Sequence, residues 1–303
     1  MPKKVNIPEP EENLKIIDVH CHLPFPRPKK NDRLPSDEQQ YRDFLKNRGV
    51  YLVTSSIDNR TLGLILNFIK GKKKIGFSIG WAPQTVTFTP KSLYNRDWKD
   101  WVENVQIYQE KFLAIGEIGL DFHHAKTLEK REKQVTELKK IFELTKEFNK
   151  PYVLHVRNAA EHEFDRDHPK HRYNEKDGAT KEILNIVKEF NINPKHIMWH
   201  CFSGPDEYGI LLPKQGYTLS VPSSAYGINK WRRVTKLSPL SALVTETDSY
   251  YQHPYLRGPI NVPLNVKYSI AAIGYSHNTS QQEVSKITVE NAINFFGLEL
   301  ESL

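Results

Sequence analysis

Residues 16–23 read IIDVHCHL, an apolar stretch of strand length that ends with two histidines, His20 and His22. Seven further apolar runs of strand length follow it along the chain: VYLVTS (50–55), IGFSIG (75–80), FLAIGEI (112–118), YVLHV (152–156), HIMWHC (196–201), GYTLSV (216–221) and ALVTET (242–247). Helical patterns lie between these runs, and such an alternation is typical of parallel strand pairing. Eight units predict an α/β fold, a single (β/α)8 barrel of the TIM type, with a doubly wound sheet as the alternative.

The predicted helices lie near 36–48, 59–70, 97–110, 127–148, 179–190, 205–213, 229–236 and 263–275. A capping box at Ser280–Glu283 predicts one more, a C-terminal helix that ends at Gly297. The chain shows no internal repeat and no linker rich in Pro, Gly or Ser. We therefore expect residues 1–303 to form one barrel domain, with residues 161–178 as an inserted loop at the active-site face.

The composition excludes several classes of protein. The chain has 303 residues, 38% of them hydrophobic, which is typical of a globular protein and excludes a disordered polymer. Its longest apolar run, residues 62–69, is too short to cross a membrane. A net charge of +7 is weak support for a polyanionic partner, and the densest basic run, KGKKK (70–74), is expected at the opposite end of the barrel from the site.

Two cysteines, Cys21 and Cys201, are too few for the disulfide framework of a secreted domain. The sequence therefore predicts a cytoplasmic protein with no membrane association and no obligate protein partner. By strand alternation, each cysteine is expected to point away from its neighbouring histidine and to act as a small buried apolar residue.

Six ionisable residues end or follow five of the predicted strands, where barrel enzymes build their active sites. They are His20, His22, Glu117, His155, His200 and Asp248. Six ligands are too many for one tetrahedral zinc ion and fit two divalent ions about 3.5–4 Å apart better. Glu117, on the strand between the two groups of histidines, is the predicted bridge.

Five motifs in order carry a resemblance to a known family: IIDVHCHL (16–23), AIGEIGLDF (114–122), PYVLHVRNA (151–159), HCFSG (200–204) and TETDSYY (245–251). RGPINVP (257–263) follows them. The chain resembles the TatD family of metal-dependent deoxyribonucleases, within the amidohydrolase superfamily, from about residue 16 to residue 296. The resemblance implies hydrolysis of DNA phosphodiesters, at ends or in single strands, with two divalent ions: Zn2+, Mg2+ or Mn2+.

The family pattern also implies how the ligands are shared between the two ions. One ion would take His20, His22, Glu117 and Asp248, and the other would take Glu117, His155 and His200. Asp248 would in addition orient or deprotonate the attacking water, so that Asp248 and Glu117 are the expected catalytic residues. One departure from the pattern is Tyr250, which stands where the family commonly has a proline.

Two arginines are candidate substrate-binding residues. Arg157 follows His155 by two residues and could hold a phosphate oxygen, or form a salt bridge to Glu246 or Asp121. Arg257 lies in a loop after the eighth strand, where it could meet substrate or solvent. The upper loops also carry aromatic residues that could stack on bases or pack under loops. These are Phe25, Trp81, Phe122, Phe202, Tyr226, Tyr250 and Tyr251.

Two alternative functions remain open from the sequence. The first is a small-molecule amidohydrolase acting on a phosphotriester, lactone or cyclic amide, although many of its binuclear members bridge with a carboxylated lysine where this chain has Glu117. The second is a non-catalytic metal-binding barrel, which the complete set of ligands disfavours.

Overall fold

Eight parallel strands form the inner layer of the fold, and they follow chain order around the sheet. The computed structural model describes residues 6–25, 34–255, 258 and 260–299. The strands are β1 (Ile16–Cys21), β2 (Gly49–Ser55), β3 (Ile75–Ile79), β4 (Ala114–Asp121), β5 (Tyr152–Arg157), β6 (Ile197–His200), β7 (Thr218–Pro222) and β8 (Leu243–Glu246). A doubly wound sheet would reverse direction around its first strand. The consecutive order confirms the predicted barrel and shows that the alternative is wrong.

Helices surround the strands and connect them. They are α1 (Asp37–Lys46), α2 (Asn59–Ile69), α3 (Pro83–Phe88), α4 (Lys91–Ile107), α5 (Leu128–Thr145), α6 (Gly178–Glu189), α7 (Tyr208–Lys214), α8 (Asn229–Leu237), α9 (Val266–His277) and α10 (Gln281–Phe296). Within the described residues, none of these helices combines the length and the hydrophobicity needed to cross a lipid bilayer.

The helix predicted at 97–110 corresponds to α4, which begins earlier, at Lys91, and ends at Ile107. The short helix α3 was not predicted. Pro83 occupies the first turn of α3, and Pro90 is the N-cap of α4. A proline at the start of a helix costs no hydrogen bond, because the first amides of a helix have no partner inside it. Both prolines therefore mark helix starts in a stretch that reads as a loop.

Hydrogen bonds at Asp18 close the barrel between β8 and β1. The fully buried Asp18 carboxyl accepts from the backbone amide of Thr247 at 2.9 Å and from its hydroxyl at 2.5 Å. Burial is the main cause that raises the pKa of Asp18 well above its usual range. Just beyond β8, the amide of Asp248 donates to the carbonyl of His20 at 2.9 Å, and the amide of His22 donates to the carbonyl of Ser249.

The C-terminal helix α10, which the sequence predicts, packs at the amino ends of β1 and β8. The Ser285 hydroxyl donates to the Lys15 carbonyl just before β1. The Asn291 amide donates to the carbonyls of Leu240 and Leu243 at the start of β8. Apolar residues of α10 join a cluster with residues of six strands. The helix therefore seals the end of the barrel opposite the predicted site.

Arg131 of α5 holds the inserted segment 161–178 against the barrel. Its guanidinium is fully buried and donates to the carbonyls of Tyr173 and Glu163 and to Oδ1 of Asn174. It also donates to the carbonyls of Phe122 and Ala125, which follow β4. Residues 163, 173 and 174 are themselves buried. The segment therefore has an ordered base, although His162 within it is exposed.

Replacing Arg131 should therefore destabilise the protein. Arg131→Met keeps much of the volume but leaves several buried carbonyl oxygens without a donor, which costs about 3–5 kcal/mol of the free energy of unfolding. Urea unfolding measures this loss. Lys139→Met is the matched control, because Lys139 lies on the same helix and makes a surface ion pair with Glu189. That pair is worth less than about 1 kcal/mol, so equal losses in the two variants would contradict the role given to Arg131.

Candidate metal centre

All six residues predicted as ligands converge at the carboxyl ends of the strands, around the side chain of Glu117. Its Oε1 lies 2.6 Å from Nδ1 of His155 and 3.6 Å from Nε2 of His200. Its Oε2 lies 3.6 Å from Nε2 of both His20 and His22. Each carboxylate oxygen therefore faces a different pair of histidines, which is the arrangement expected of a carboxylate that bridges two ions.

Asp248 adds a second carboxylate on the side of His20 and His22. Its Oδ1 lies 3.4 Å from Nε2 of His22 and 3.7 Å from Nε2 of His20. Two groups of three residues have ligand atoms that all lie within 4.8 Å of one another. They are His20 with His22 and Asp248, and His20 with Glu117 and His200.

Unsatisfied buried atoms show that this cluster fits divalent cations. Both ring nitrogens of His20 are buried without a hydrogen-bond partner. An unpaired buried polar atom costs about 1–3 kcal/mol, so folded proteins rarely keep one without a reason. A cation bound between His20 and the carboxylates would satisfy Nε2 and neutralise the buried negative charge. Imidazole nitrogens together with carboxylate oxygens suit Zn2+ and Mn2+.

Two of the four histidines are oriented by a hydrogen bond through the nitrogen that points away from the centre. Nδ1 of His22 lies 3.0 Å from the Ser55 carbonyl, which requires a donor there and leaves Nε2 with its lone pair inward. Nε2 of His155 lies 3.1 Å from Oδ2 of Asp121. Nδ1 of His200 lies 3.5 Å from Oε2 of Glu246 but makes no hydrogen bond within the described residues. Such outer partners fix the tautomer of a metal-binding histidine and its ring orientation.

The buried charges of the cluster shift one another's pKa values. Burial, and then the neighbouring His200, lowers the pKa of His20 to about 4. Burial opposes protonation of His155 too, but hydrogen bonds to Asp121 and Glu117 outweigh it and raise its pKa to about 9. Burial would raise the pKa of Glu117, yet the contacts with His155 hold that pKa well below its usual range. Glu117 is therefore an anion throughout the physiological range.

Irregular pairing occurs in β1 and β4 close to the ligands. The register of β1 against β2 shifts between Asp18 and Cys21, on either side of His20. The register of β4 against β5 shifts between Ile115 and Ile118, next to Glu117. Irregularities of this kind re-aim side chains and are common beside active sites.

A cavity of about 620 Å³ opens over the centre. Of the seven aromatic residues considered for base stacking, Phe25, Tyr250 and Tyr251 line it. Trp81, Phe122 and Phe202 are instead buried, and Tyr226 packs against Tyr255 and Tyr268. Packing under loops is thus the correct interpretation for four of the seven.

The two cysteines differ from each other. Cys21 is fully buried, as predicted, and its thiol donates to the Val53 carbonyl. Cys201 is only partly buried and lines the cavity beside His200, so the prediction of a small buried residue is wrong for it. The reason is that β6 ends at His200, and Cys201 has a positive φ of 47°, so strand alternation does not extend to it.

Of the two candidate substrate-binding arginines, the structure describes one. Arg157 lines the cavity and is exposed, and within the described residues it forms no ion pair with Glu246 or Asp121. Arg257 lies outside the described residues. In the described part of the chain, no residue of the segment 161–178 lines the cavity, so the segment does not narrow its wall.

The sequence reasoning missed several polar residues of the site. Gln84 of α3 donates to Asp121, and so does His124, which lines the cavity at 2.7 Å from the same carboxylate. Lys230 and Trp231, on the first turn of α8, also line the cavity. Lys230 and Trp231 follow the carboxyl end of β7, and this position could have identified them from the sequence, because the loops at that end build the sites of barrel enzymes.

The sequence is similar to known proteins along nearly its whole length. The sequence profile of the family described as TatD related DNase matches residues 17–297. An uncharacterized metal-dependent hydrolase of Methanocaldococcus jannaschii is 29% identical over 94% of this chain and 98% of its own length. A deoxyribonuclease of Homo sapiens, TATDN3, is 29% identical over 63% of this chain and 62% of its own length.

Solved structures show the same fold. A TatD homologue of Escherichia coli, YjjV, superposes with a TM-score of 0.72 at 19% identity, covering 94% of this chain and 98% of its own. A TatD family hydrolase of Entamoeba histolytica gives 0.73 at 17% identity, with 94% and 99% covered. With the profile match across nearly the whole chain, these likenesses lead to one conclusion: this chain belongs to the TatD-related DNase family of metal-dependent hydrolases.

Proposed function

We propose that the protein is a two-metal phosphodiesterase that cleaves DNA at ends or in single strands. The observation that carries this proposal is the bridging position of Glu117, with each oxygen facing a different pair of histidines. A deoxyribonuclease among the relatives supports DNA as the substrate. A cavity of about 620 Å³ suits one or two nucleotides of a strand better than a paired duplex.

Two divalent ions would be held by the six ligands, with Glu117 shared between them. Such ions, when bound, neutralise phosphate charge and lower the pKa of a bound water. Asp248 is the residue of this chain placed to accept a proton, because its carboxylate lies at the edge of the cluster and lines the cavity. Arg157, exposed on the cavity wall, supplies planar donors suited to a phosphate oxygen.

Loss of the bridging charge should abolish hydrolysis. Glu117→Gln keeps the size of the side chain but removes the negative charge that both ligand sets share, so we expect kcat to fall more than about a hundredfold. The measurement uses labelled single-stranded and duplex DNA with Mn2+, Mg2+ or Zn2+. Glu137→Gln is the matched control, since Glu137 is a buried glutamate of α5 outside the cavity. Equal rates in the two variants would exclude the proposed centre.

Metal binding should stabilise the folded protein. A cation at a hundred times its Kd contributes about 2.7 kcal/mol, which raises the Tm of a chain of this size by about 5 °C over protein in chelator. Asp248→Asn should lose most of this rise, because one carboxylate ligand becomes a neutral amide. Asp206→Asn, at an exposed ion pair with Arg233, should keep it. A rise that survives in Asp248→Asn would place the cation elsewhere.

Asp121 should act through His155 as a positioning residue. Asp121→Asn replaces the acceptor of the His155 Nε2 proton, so metal affinity or activity should fall about 10- to 100-fold. Competition with a chromophoric chelator measures the affinity directly. A fall in stability in chelator with no change of metal affinity would contradict this role and leave Asp121 a purely structural residue.

A further inference from the structure

Three cations, Lys230, Arg232 and Arg233, lie in the first half of α8, and of these three Lys230 alone lines the cavity. Arg232 is buried and donates to the carbonyls of Ala225 and Tyr226. Arg233 pairs with Asp206 at 3.3 Å. Lys230 lines the cavity and, within the described residues, makes no ion pair. Two of the three cations thus serve the protein itself, and the third is available to a ligand.

Arg157 on β5 lines the same cavity near Lys230. Lys230 is exposed at the cavity wall, where partial desolvation lowers its pKa and the positive charge of Arg157 lowers it further. In the described part of the chain, neither cation has a carboxylate partner. Two like charges facing one cavity disfavour each other, and an anion bound between them would relieve that repulsion.

Trp231 places this pair next to the metal ligands. Its indole Nε1 donates to the carbonyl of Cys201 at 3.3 Å, one residue after the ligand His200. The bond fixes the ring on the cavity wall, with the Lys230 ammonium 5.9 Å from the ring centroid. A fixed indole beside cations is the combination that proteins use to hold single-stranded nucleic acid.

We propose that Lys230 and Arg157 form a second phosphate subsite, and that Trp231 stacks on the base beside it. The subsite takes the phosphate adjacent to the bond being cleaved, so the preferred substrate carries at least two successive phosphates. This inference rests on the proposed phosphodiesterase function and adds the residues that select a nucleotide chain over an isolated diester.

The kinetic test compares dinucleotides with and without a terminal phosphate, placed at the 5′ end in one series and at the 3′ end in the other. Lys230→Gln should raise KM about tenfold for the dinucleotide phosphorylated at one of its two ends, and not for the one phosphorylated at the other. The reason is the loss of a charge-assisted hydrogen bond to that phosphate. KM for the unphosphorylated substrate should rise much less, so the preference for the phosphorylated substrate should be lost. Lys230→Arg should restore the lower KM. Lys236→Gln, on the same helix but outside this cavity, is the control. An equal KM effect on all substrates would overturn the subsite.

A binding measurement separates the subsite from the catalytic proposal. The full chain in chelator is titrated into a fluorescein-labelled single strand of five nucleotides, and anisotropy is followed from 50 to 200 mM salt. The dependence of log K on log salt should flatten by about 0.7 for each cation removed, in Lys230→Gln and again in Arg157→Gln/Lys230→Gln. Flattening in a protein that cleaves no DNA would sustain the subsite and refute the phosphodiesterase. Cleavage of DNA together with an unaltered salt dependence in both variants would sustain the phosphodiesterase and refute the subsite.

Discussion

The joint between β8 and β1 is the contact on which both the fold and the site depend. Asp18 ties β1 to Thr247 through two hydrogen bonds, and the next amide along the chain, that of Asp248, donates to the carbonyl of His20. The contacts that close the barrel therefore also set the distance between His20 on the first strand and Asp248 after the last strand. A looser joint would separate Asp248 from His20 and His22 before it exposed much of the core.

The barrel holds the buried histidines of the centre in defined orientations. Two histidines direct one nitrogen inward because the other is hydrogen-bonded to an oxygen: Ser55 for His22 and Asp121 for His155. Within the described residues, Nδ1 of His200 and both ring nitrogens of His20 lack such a partner. His20 is held instead by its backbone at the barrel joint and by stacking on His200, with ring centroids 4.1 Å apart. The geometry of the proposed ligands is therefore set by the scaffold.

The sequence was sufficient for the barrel because its eight strands are short apolar runs, five of which end in or are followed by ionisable residues. The convergence of Glu117 with histidines from three other strands follows from that topology alone. Three details did not follow, because they depend on strand pairing or on local backbone conformation and not on the pattern of apolar residues. The shifts of register in β1 and β4 arise from pairing with neighbouring strands. The helix α3 that carries Gln84 begins at a proline, and Cys201 leaves the strand pattern through one backbone angle.

Arg131 joins the segment 161–178 to the loop that follows Asp121, the residue that orients His155. Regions bound to the core through buried hydrogen bonds open only when the surrounding unit unfolds, whereas ordinary surface loops open locally. A protease should therefore find the buried base of this segment resistant to cutting for as long as the barrel is folded. Sequence changes in the insertion that leave residues 163, 173 and 174 intact can alter its exposed surface without reaching the carboxyl end of β4.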